Sequence, residues 1–483
     1  MAKRYDVVII GGGSGGLTVA SGAASFGQKV ALINESRNLG GDCLHYGCVP
    51  SKALIQAAKE VKQAEKAAGE FGLTLGGKAD FNQAKARIQA AKKEIQKHDD
   101  PARFESAGVD VFEGTASFID QHKINVKHQR SNTVLKGKKI VIATGSSPKV
   151  PEIEGLAQVP YITNEDVYTL SEVPARVAVA GGGPVGVELA QALARFGARV
   201  DVIHAGAHLF ETEDETIAFK AEHKLAEEMN ITPNYRLTKA APAGSAYRFT
   251  AEHVETKSQK EITADVLFVA AGRKPNTDKL NIEAAGINCH QDGTIKVDQT
   301  MRTSREHIFA VGDAAGAPMF THAAGIEGQT VVANLAFDLK QKIDPNGIPW
   351  TFFTDPGIFH LGMTEAEAVA AYGEEVVNVY EQHGGEVDRF IAEHKPDAYA
   401  KIITDRKNRI IGAHAVGEDP GDWMQELVYL YQKNEPLKSL SSSIYPYPAR
   451  GEIIKKAADK YWRDTLFHGR SARWLKRISK LLR

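Results

Sequence analysis

Apolar residues run unbroken from Val7 to Ile10 in the stretch YDVVII, and the next three positions are glycines. A short continuous apolar run closed by glycine reads as a strand buried on both faces. Apolar positions resume from Leu17 at helical spacing. The segment therefore predicts strand, tight turn and helix, with Gly11, Gly13 and Gly16 in and after the turn. The pattern returns in RVAVAGGGPVGVELAQALARFGARVDVI, where Gly181, Gly183 and Gly186 repeat the first glycines at an offset of 170 positions. The same offset carries Phe26 and Gly27 onto Phe196 and Gly197, Val30 onto Val200 and Ile33 onto Ile203. Two copies of one βαβ unit are predicted.

In each copy the G-x-G-x-x-G run follows a strand, opens a helix and leads to a second strand, the context in which this spacing signifies dinucleotide binding. Glycines let the backbone approach a pyrophosphate, whose charge is met by the unpaired N–H groups and the positive end of the helix dipole. A plain tight turn would not account for two copies. Between the units, Ser51 to Ala68 and Ala84 to Lys97 read as alanine-rich, charged, solvent-facing helices. KKIVIATGSSP, with Thr144 and Gly145 in its turn, closes the first unit, and ITADVLFVAAGRKPNT closes the second in the same way around Gly272. HIFAVGDAA is a further apolar strand that ends at Asp313. From about Trp350 alternating segments such as AYAKIITD and RIIGAHAV predict an antiparallel sheet covered on one face, followed by a helix around Asp422 to Lys433.

Composition changes this picture little. A chain of 483 residues exceeds one core, and 43% hydrophobic with 25% charged residues is ordinary for a globular protein. The formal net charge of -1 provides no sequence-wide attraction to nucleic acid, so no nucleic-acid partner is expected. The apolar run before Gly11 is too short for a signal-peptide core, and no apolar stretch of about 18 residues occurs. The expected location is the cytoplasm.

Only three cysteines are present, Cys43, Cys48 and Cys289, too few for a disulfide framework. Cys289 lies in no motif and reads as a bystander. The other two stand five positions apart in GGDCLHYGCVPSK, just before a helix whose first turn holds Pro50. A metal site would need further ligands, and no second C-x-x-C or paired-histidine motif supplies them, so no metal is expected.

This cysteine motif, placed between two nucleotide-binding units, resembles the FAD-containing pyridine nucleotide-disulfide oxidoreductases, the family of dihydrolipoamide dehydrogenase, glutathione reductase and mercuric reductase. The likeness spans roughly residues 5 to 460. It implies an α/β architecture of two Rossmann-like dinucleotide-binding domains and a C-terminal α+β dimerisation domain. The divisions are 1–150 and 273–345 for FAD, 151–272 for NAD(P), 346–462 for the dimer interface and 463–483 for a basic tail. It further implies a small, reversible disulfide ring in which Cys48, its thiolate favoured by the helix N-terminus, faces the flavin and Cys43 attacks the acceptor. Gly11, Gly13, Gly16, Gly41, Thr144 and Gly145 fall to FAD, Asp313 to the flavin's ribityl chain, and Thr321 and His322 of FTHAAGIEG to the flavin. Gly181, Gly183, Gly186 and Gly272 fall to NADPH or NADH, and Lys52 and Glu188 match an ion pair beside flavin N5. The implied enzyme is a homodimer that carries electrons from NAD(P)H through FAD and the Cys43/Cys48 disulfide to a small acceptor, with the partner's C-terminal domain completing each site.

Three positions depart from the family pattern. Asn34, beside Glu35, and His204 stand where an acidic residue grips the adenosine ribose. His204 removes a carboxylate that would repel a 2′-phosphate, which tilts the reading toward NADPH. In SSSIYPYPARGEI, Tyr447 replaces the histidine that serves as acid/base, while Pro448 and Glu452 are retained. Tyrosine, with a pKa near 10, is a poor base at neutral pH. Lipoamide or glutathione disulfide is then a doubtful acceptor. Mercuric reductase shares the departure but carries a C-terminal cysteine pair absent here, and the cysteine-less transhydrogenases lack Cys43 and Cys48. Seven basic residues against one acid from Arg463 to Arg483, with Trp474, Leu475, Ile478, Leu481 and Leu482 on one helical face, suit either packing on the dimer or peripheral contact with the inner face of a membrane, where a quinone would be the acceptor. A redox sensor whose disulfide reports the NAD(P)H ratio is the reading from another class.

Overall fold

In the computed structural model, which describes residues 2–316, 318–463, 466 and 481, the strand Lys3–Ile10 is central to a seven-stranded sheet. It pairs in parallel with Val30–Asn34 on one side and Ser131–Ile142 on the other, with Val7 opposite Val30 and Lys139. Val30–Asn34 continues to Val109–Glu113, and Ile308–Ala310 joins Ser131–Ile142 in parallel. Val8 and Ile10 enter one apolar core while Val7 and Ile9 enter another. That double burial is why the strand reads as a continuous apolar run. A second parallel sheet runs Arg199–Ile203, Arg176–Ala180, Val266–Val269, Tyr161–Ile162.

The repeat extends to atomic detail. Gly11 N–H donates to Ile33 O at 2.8 Å, and Gly181 N–H donates to Ile203 O at 2.9 Å. Both glycines take positive φ, +110° and +126°. A Cβ on Gly11 would lie 2.1 Å from Ala143 O, and one on Gly181 would lie 2.3 Å from Ala270 O, so only glycine passes between these strand ends.

The chain divides into two compact units, Met1–Ala205 with Tyr235–Pro345, and Gly206–Asn234 with Asn346–Arg483. The second holds a five-stranded antiparallel sheet in the order Trp350–Phe352, Gly357–Gly362, Ile410–Gly417, Tyr399–Thr404, Asn378–His383. The helices Gln425–Lys433 and Glu452–Arg463 share an apolar core with Phe359, Leu361, Ile402 and Ala413. The expectation of one covered face fails here. Every residue of Tyr399–Thr404 is buried, because the helix Glu215–Leu225 of the inserted segment Gly206–Asn234 covers the opposite face. The basic tail, apart from 463, 466 and 481, lies outside the described residues. Among those described, no helix is long and apolar enough to cross a membrane.

Candidate active site

Gly40, at φ +112°, turns the chain into the short helix Gly41–His45, which carries Cys43. Gly47 N–H then donates to Asp42 O at 2.6 Å, so the chain reverses between the cysteines and enters the helix Cys48–Phe71. Cys48 is the first residue of this 24-residue helix rather than the residue before it. Its sulfur meets the field of the helix N-terminus. The Thr321 hydroxyl, at the start of the helix Thr321–Phe337, lies 3.2 Å from Cys48 Sγ and donates to it when the sulfur is a thiolate.

Both cysteines are free thiols here. The Cys43 thiol hydrogen-bonds to Cys48, and this contact first, with help from Thr321 and the Lys52 ammonium against the cost of burial, pulls Cys48 down to about 6. The same bond, with burial, pushes Cys43 up. The reduced pair is thus a Cys48 thiolate and a Cys43 thiol. In two-electron-reduced holoenzyme the long-wavelength thiolate-to-flavin absorbance is expected to be full at neutral pH and to fade with a midpoint near pH 6 as Cys48 protonates. In Cys43→Ser the midpoint is expected to move, because the strongest contact to Cys48 is altered. A midpoint above pH 8 in the unaltered protein would contradict this assignment.

One turn after Cys48, Lys52 Nζ lies 2.7 Å from Glu188 Oε2 of the helix Pro184–Arg195. The Glu188 side chain is buried and the lysine half-buried. The structure thus joins the two nucleotide-binding repeats through one ion pair beside the thiols.

The residues around the first repeat fit a dinucleotide. The helix Ser14–Ser25 has no side-chain cap at Gly13, and a Cβ there would find its nearest neighbour, Gly41 Cα, 3.7 Å away. That leaves open backbone in front of a free helix N-terminus. The Thr144 hydroxyl is buried with no partner among the described residues, a polar atom that a ligand would satisfy. Ser146 hydroxyl donates to the Asp313 carboxylate, and Arg273 Nε lies 3.5 Å from the same carboxylate. In the second repeat, the helix Pro184–Arg195 is likewise uncapped at Gly183, around whose Cβ position nothing lies within 4 Å. Gly145 and Gly272, both at positive φ, stand at opposite ends of the short antiparallel pair Ser146–Pro148 with Arg273–Pro275: Gly145 O accepts from Asn276 N–H at 2.9 Å, and Gly272 O accepts from Lys149 N–H at 3.0 Å. His322 stacks on Phe320 with ring centroids 5.6 Å apart.

Other positions are engaged differently from the family pattern. Asn34 Oδ1 accepts from Gly12 N–H at 3.0 Å, and its counterpart His204 accepts from Gly182 N–H through Nδ1 at 3.2 Å. Both side chains therefore brace their own glycine loops, at the same offset as the repeat itself. Glu35 is exposed and pairs with Lys279 at 3.0 Å. Tyr447 and Glu452 lie in the second unit, where Tyr447 hydroxyl donates to Asp388 at 2.7 Å and Ala449 N–H donates to Glu452 at 3.4 Å.

Residues that sequence reasoning missed include Arg273, which joins Asp42, Ser146 and Asp313, and Glu327, which accepts from Gly312 N–H at 2.6 Å. Burial pushes Glu327 up to about 7. Arg273 stands next to Gly272 in a motif already singled out, whereas Glu327 had only its place as an acid in an apolar helix as a signal.

A dithiol at a helix N-terminus, an ion pair beside it and two glycine-loop nucleotide sites define a flavoprotein disulfide reductase. The family described as pyridine nucleotide-disulphide oxidoreductase matches residues 5–328, and its dimerisation domain matches residues 348–458. The chain belongs to this family. It is 33% identical over 464 residues to a mercuric reductase of Staphylococcus aureus, covering 95% of this chain and 83% of that protein. It is 32% identical over 481 residues to dihydrolipoyl dehydrogenase 3 of Haloarcula marismortui, covering 96% and 98%. The HOCl-induced flavoprotein disulfide reductase RclA of Escherichia coli, solved as a Cu(II) complex, superposes with a TM-score of 0.84 at 27% identity over 95% of this chain and all of that one. The protein is an FAD-dependent NAD(P)H oxidoreductase with a dimerisation domain.

Proposed function

We propose that the Cys43/Cys48 dithiol passes the electron pair of NAD(P)H to a thiophilic metal cation such as Hg(II) or Cu(II), bound as substrate. The observation that carries this reading is the state of Tyr447. Its hydroxyl is committed to Asp388, and that hydrogen bond raises its pKa above that of an ordinary tyrosine. Thiol-disulfide exchange needs a group that takes and returns protons, whereas reduction of a cation requires none at the acceptor. Similarity to mercuric reductases from several bacteria supports the same substrate class.

Bound FAD supplies the hydride acceptor that links the nicotinamide to the sulfurs. Lys52, fixed by Glu188, would supply positive charge to bound FAD, and Thr321 together with the helix N-terminus holds Cys48 as the anion. Cys43, the protonated thiol, presents its sulfur to the cation and releases its proton on ligation. The sum balances: NAD(P)H becomes NAD(P)+ with one proton released, and Hg(II) becomes Hg(0) or two Cu(II) become two Cu(I). His204 offers no carboxylate against a 2′-phosphate, which favours NADPH. A homodimer in which the partner subunit contributes its C-terminal segment is part of the reading.

The test is anaerobic steady-state NADPH oxidation with Hg(II) or Cu(II) as small-thiol complexes, lipoamide, glutathione disulfide and a soluble quinone. Turnover is expected with the metal complexes, and Tyr447→His is expected to raise lipoamide reduction at least about tenfold. Faster turnover of the unaltered protein with lipoamide or quinone than with either metal would overturn the reading. A single reduction without turnover would identify a redox sensor instead.

A further inference from the structure

Strand register in the second unit sets His360, His414 and Lys401 in one row, since His414 is directly opposite both His360 and Lys401. Directly opposed residues share a face of the sheet. Segment Gly206–Asn234 supplies Glu213 and Asp214 to this row: Lys401 Nζ lies 2.9 Å from Asp214 Oδ1, and His360 Nδ1 lies 2.9 Å from Glu213 Oε2. Glu213, His360 and His414 are all buried, and one ligand atom from each lies within 4.8 Å of the others.

The hydrogen bonds orient the two imidazoles alike. His360 Nε2 faces Gly362 O at 2.9 Å, and His414 Nε2 faces Met363 O at 2.9 Å. A carbonyl only accepts, so each Nε2 carries a proton. In the neutral ring, the proton that His414 Nε2 donates to Met363 O leaves Nδ1 as a bare lone pair. That Nδ1 is buried and has no partner among the described residues. His360 Nδ1 faces a carboxylate, which is another acceptor. A proton on His360 would answer Glu213 but would still leave the His414 lone pair unanswered.

We propose that Glu213, His360 and His414 form a site for one divalent transition-metal ion of the zinc class, held by the two Nδ1 atoms and the Glu213 carboxylate. Two imidazoles and a carboxylate are a donor set that zinc accepts, at distances of about 2.0–2.2 Å. The surroundings have the form of an outer ligand shell: each imidazole donates its other N–H to a backbone carbonyl, and Trp350 Nε1–H donates to Glu213 Oε1 at 2.8 Å. The Trp350 ring stacks on His360 at a centroid distance of 3.6 Å, covering the ligand with an apolar plane. Lys401 and Asp214 answer each other, so a dication would be met by the buried charge of Glu213. Burial means that the ion enters as the unit folds, tying the inserted segment to the sheet.

This site is independent of the electron acceptor, and zinc undergoes no redox change, so the test separates the two proposals. Full-length FAD holoenzyme, produced in zinc-supplemented medium and kept oxidised so that Cys43 and Cys48 are closed, is dialysed against metal-free buffer and its zinc measured by plasma mass spectrometry. One zinc per chain is expected, falling at least tenfold in Glu213→Gln, with an anomalous peak at the zinc edge between His360 Nδ1 and His414 Nδ1 in crystals. Glu213→Gln preserves shape, so it tests the site even if His414→Phe fails to fold. Zinc below a tenth of an equivalent in the unaltered protein, or equal zinc in the unaltered protein and Glu213→Gln, overturns the proposal.

Discussion

Cys48→Ser is expected to lower NAD(P)H-dependent turnover with every acceptor by roughly three orders of magnitude, leaving the fold and bound FAD intact. Cys48 is exposed and starts its helix, a place where serine costs little in packing. What serine cannot do is ionise near pH 6 or form a bond to Cys43 that stores two electrons. Stopped-flow reduction by NADPH with an acceptor present checks this. Flavin reduction should persist while transfer beyond it stops. Residual turnover above about a tenth of the unaltered rate would show that electrons leave the flavin without the sulfurs.

The second large effect separates two glycines of one motif. A Cβ on Gly16 would lie 1.9 Å from Gly11 O, a backbone atom that cannot step aside. Gly16→Ala is expected to prevent stable folding of the first unit, at a cost above about 4 kcal/mol. Gly13 is different, because its nearest neighbour would be 3.7 Å from the new atom, an ordinary contact. Gly13→Ala should therefore fold, with near-normal far-ultraviolet dichroism, yet retain FAD at least about tenfold more weakly, since the methyl occupies the approach to the helix N-terminus. Expression, circular dichroism and the flavin-to-protein absorbance ratio distinguish them. Equal behaviour of the two variants would mean that Gly13 has no special relation to the cofactor.

The strand-turn-helix repeat was legible because its signals are local: a doubly buried strand, glycines at fixed spacing, and a helix at once. The same holds for Cys43 and Cys48, whose spacing and following Pro50 are contiguous. Even the departures at Asn34 and His204 could be seen, although their bracing of Gly12 and Gly182 could not. The one-face expectation for the C-terminal sheet missed because alternation reads only the strand itself. It is blind to a helix arriving from residues 215–225, far earlier in the chain.

By itself the order of residues determined the two nucleotide-binding repeats, the redox pair and the missing histidine at Tyr447, all features written within a few turns or strands of chain. Tertiary structure alone decided that Thr321 meets Cys48 across 273 positions, whereas the Lys52–Glu188 pair across 136 positions was anticipated through the family resemblance. Tertiary structure alone also brought Glu213 to His360 across 147 positions and left His414 Nδ1 buried with no partner among the described residues. Such pairings depend on sheet register and on which face each side chain takes, and both are set by packing between distant segments rather than by the preferences of neighbours in sequence.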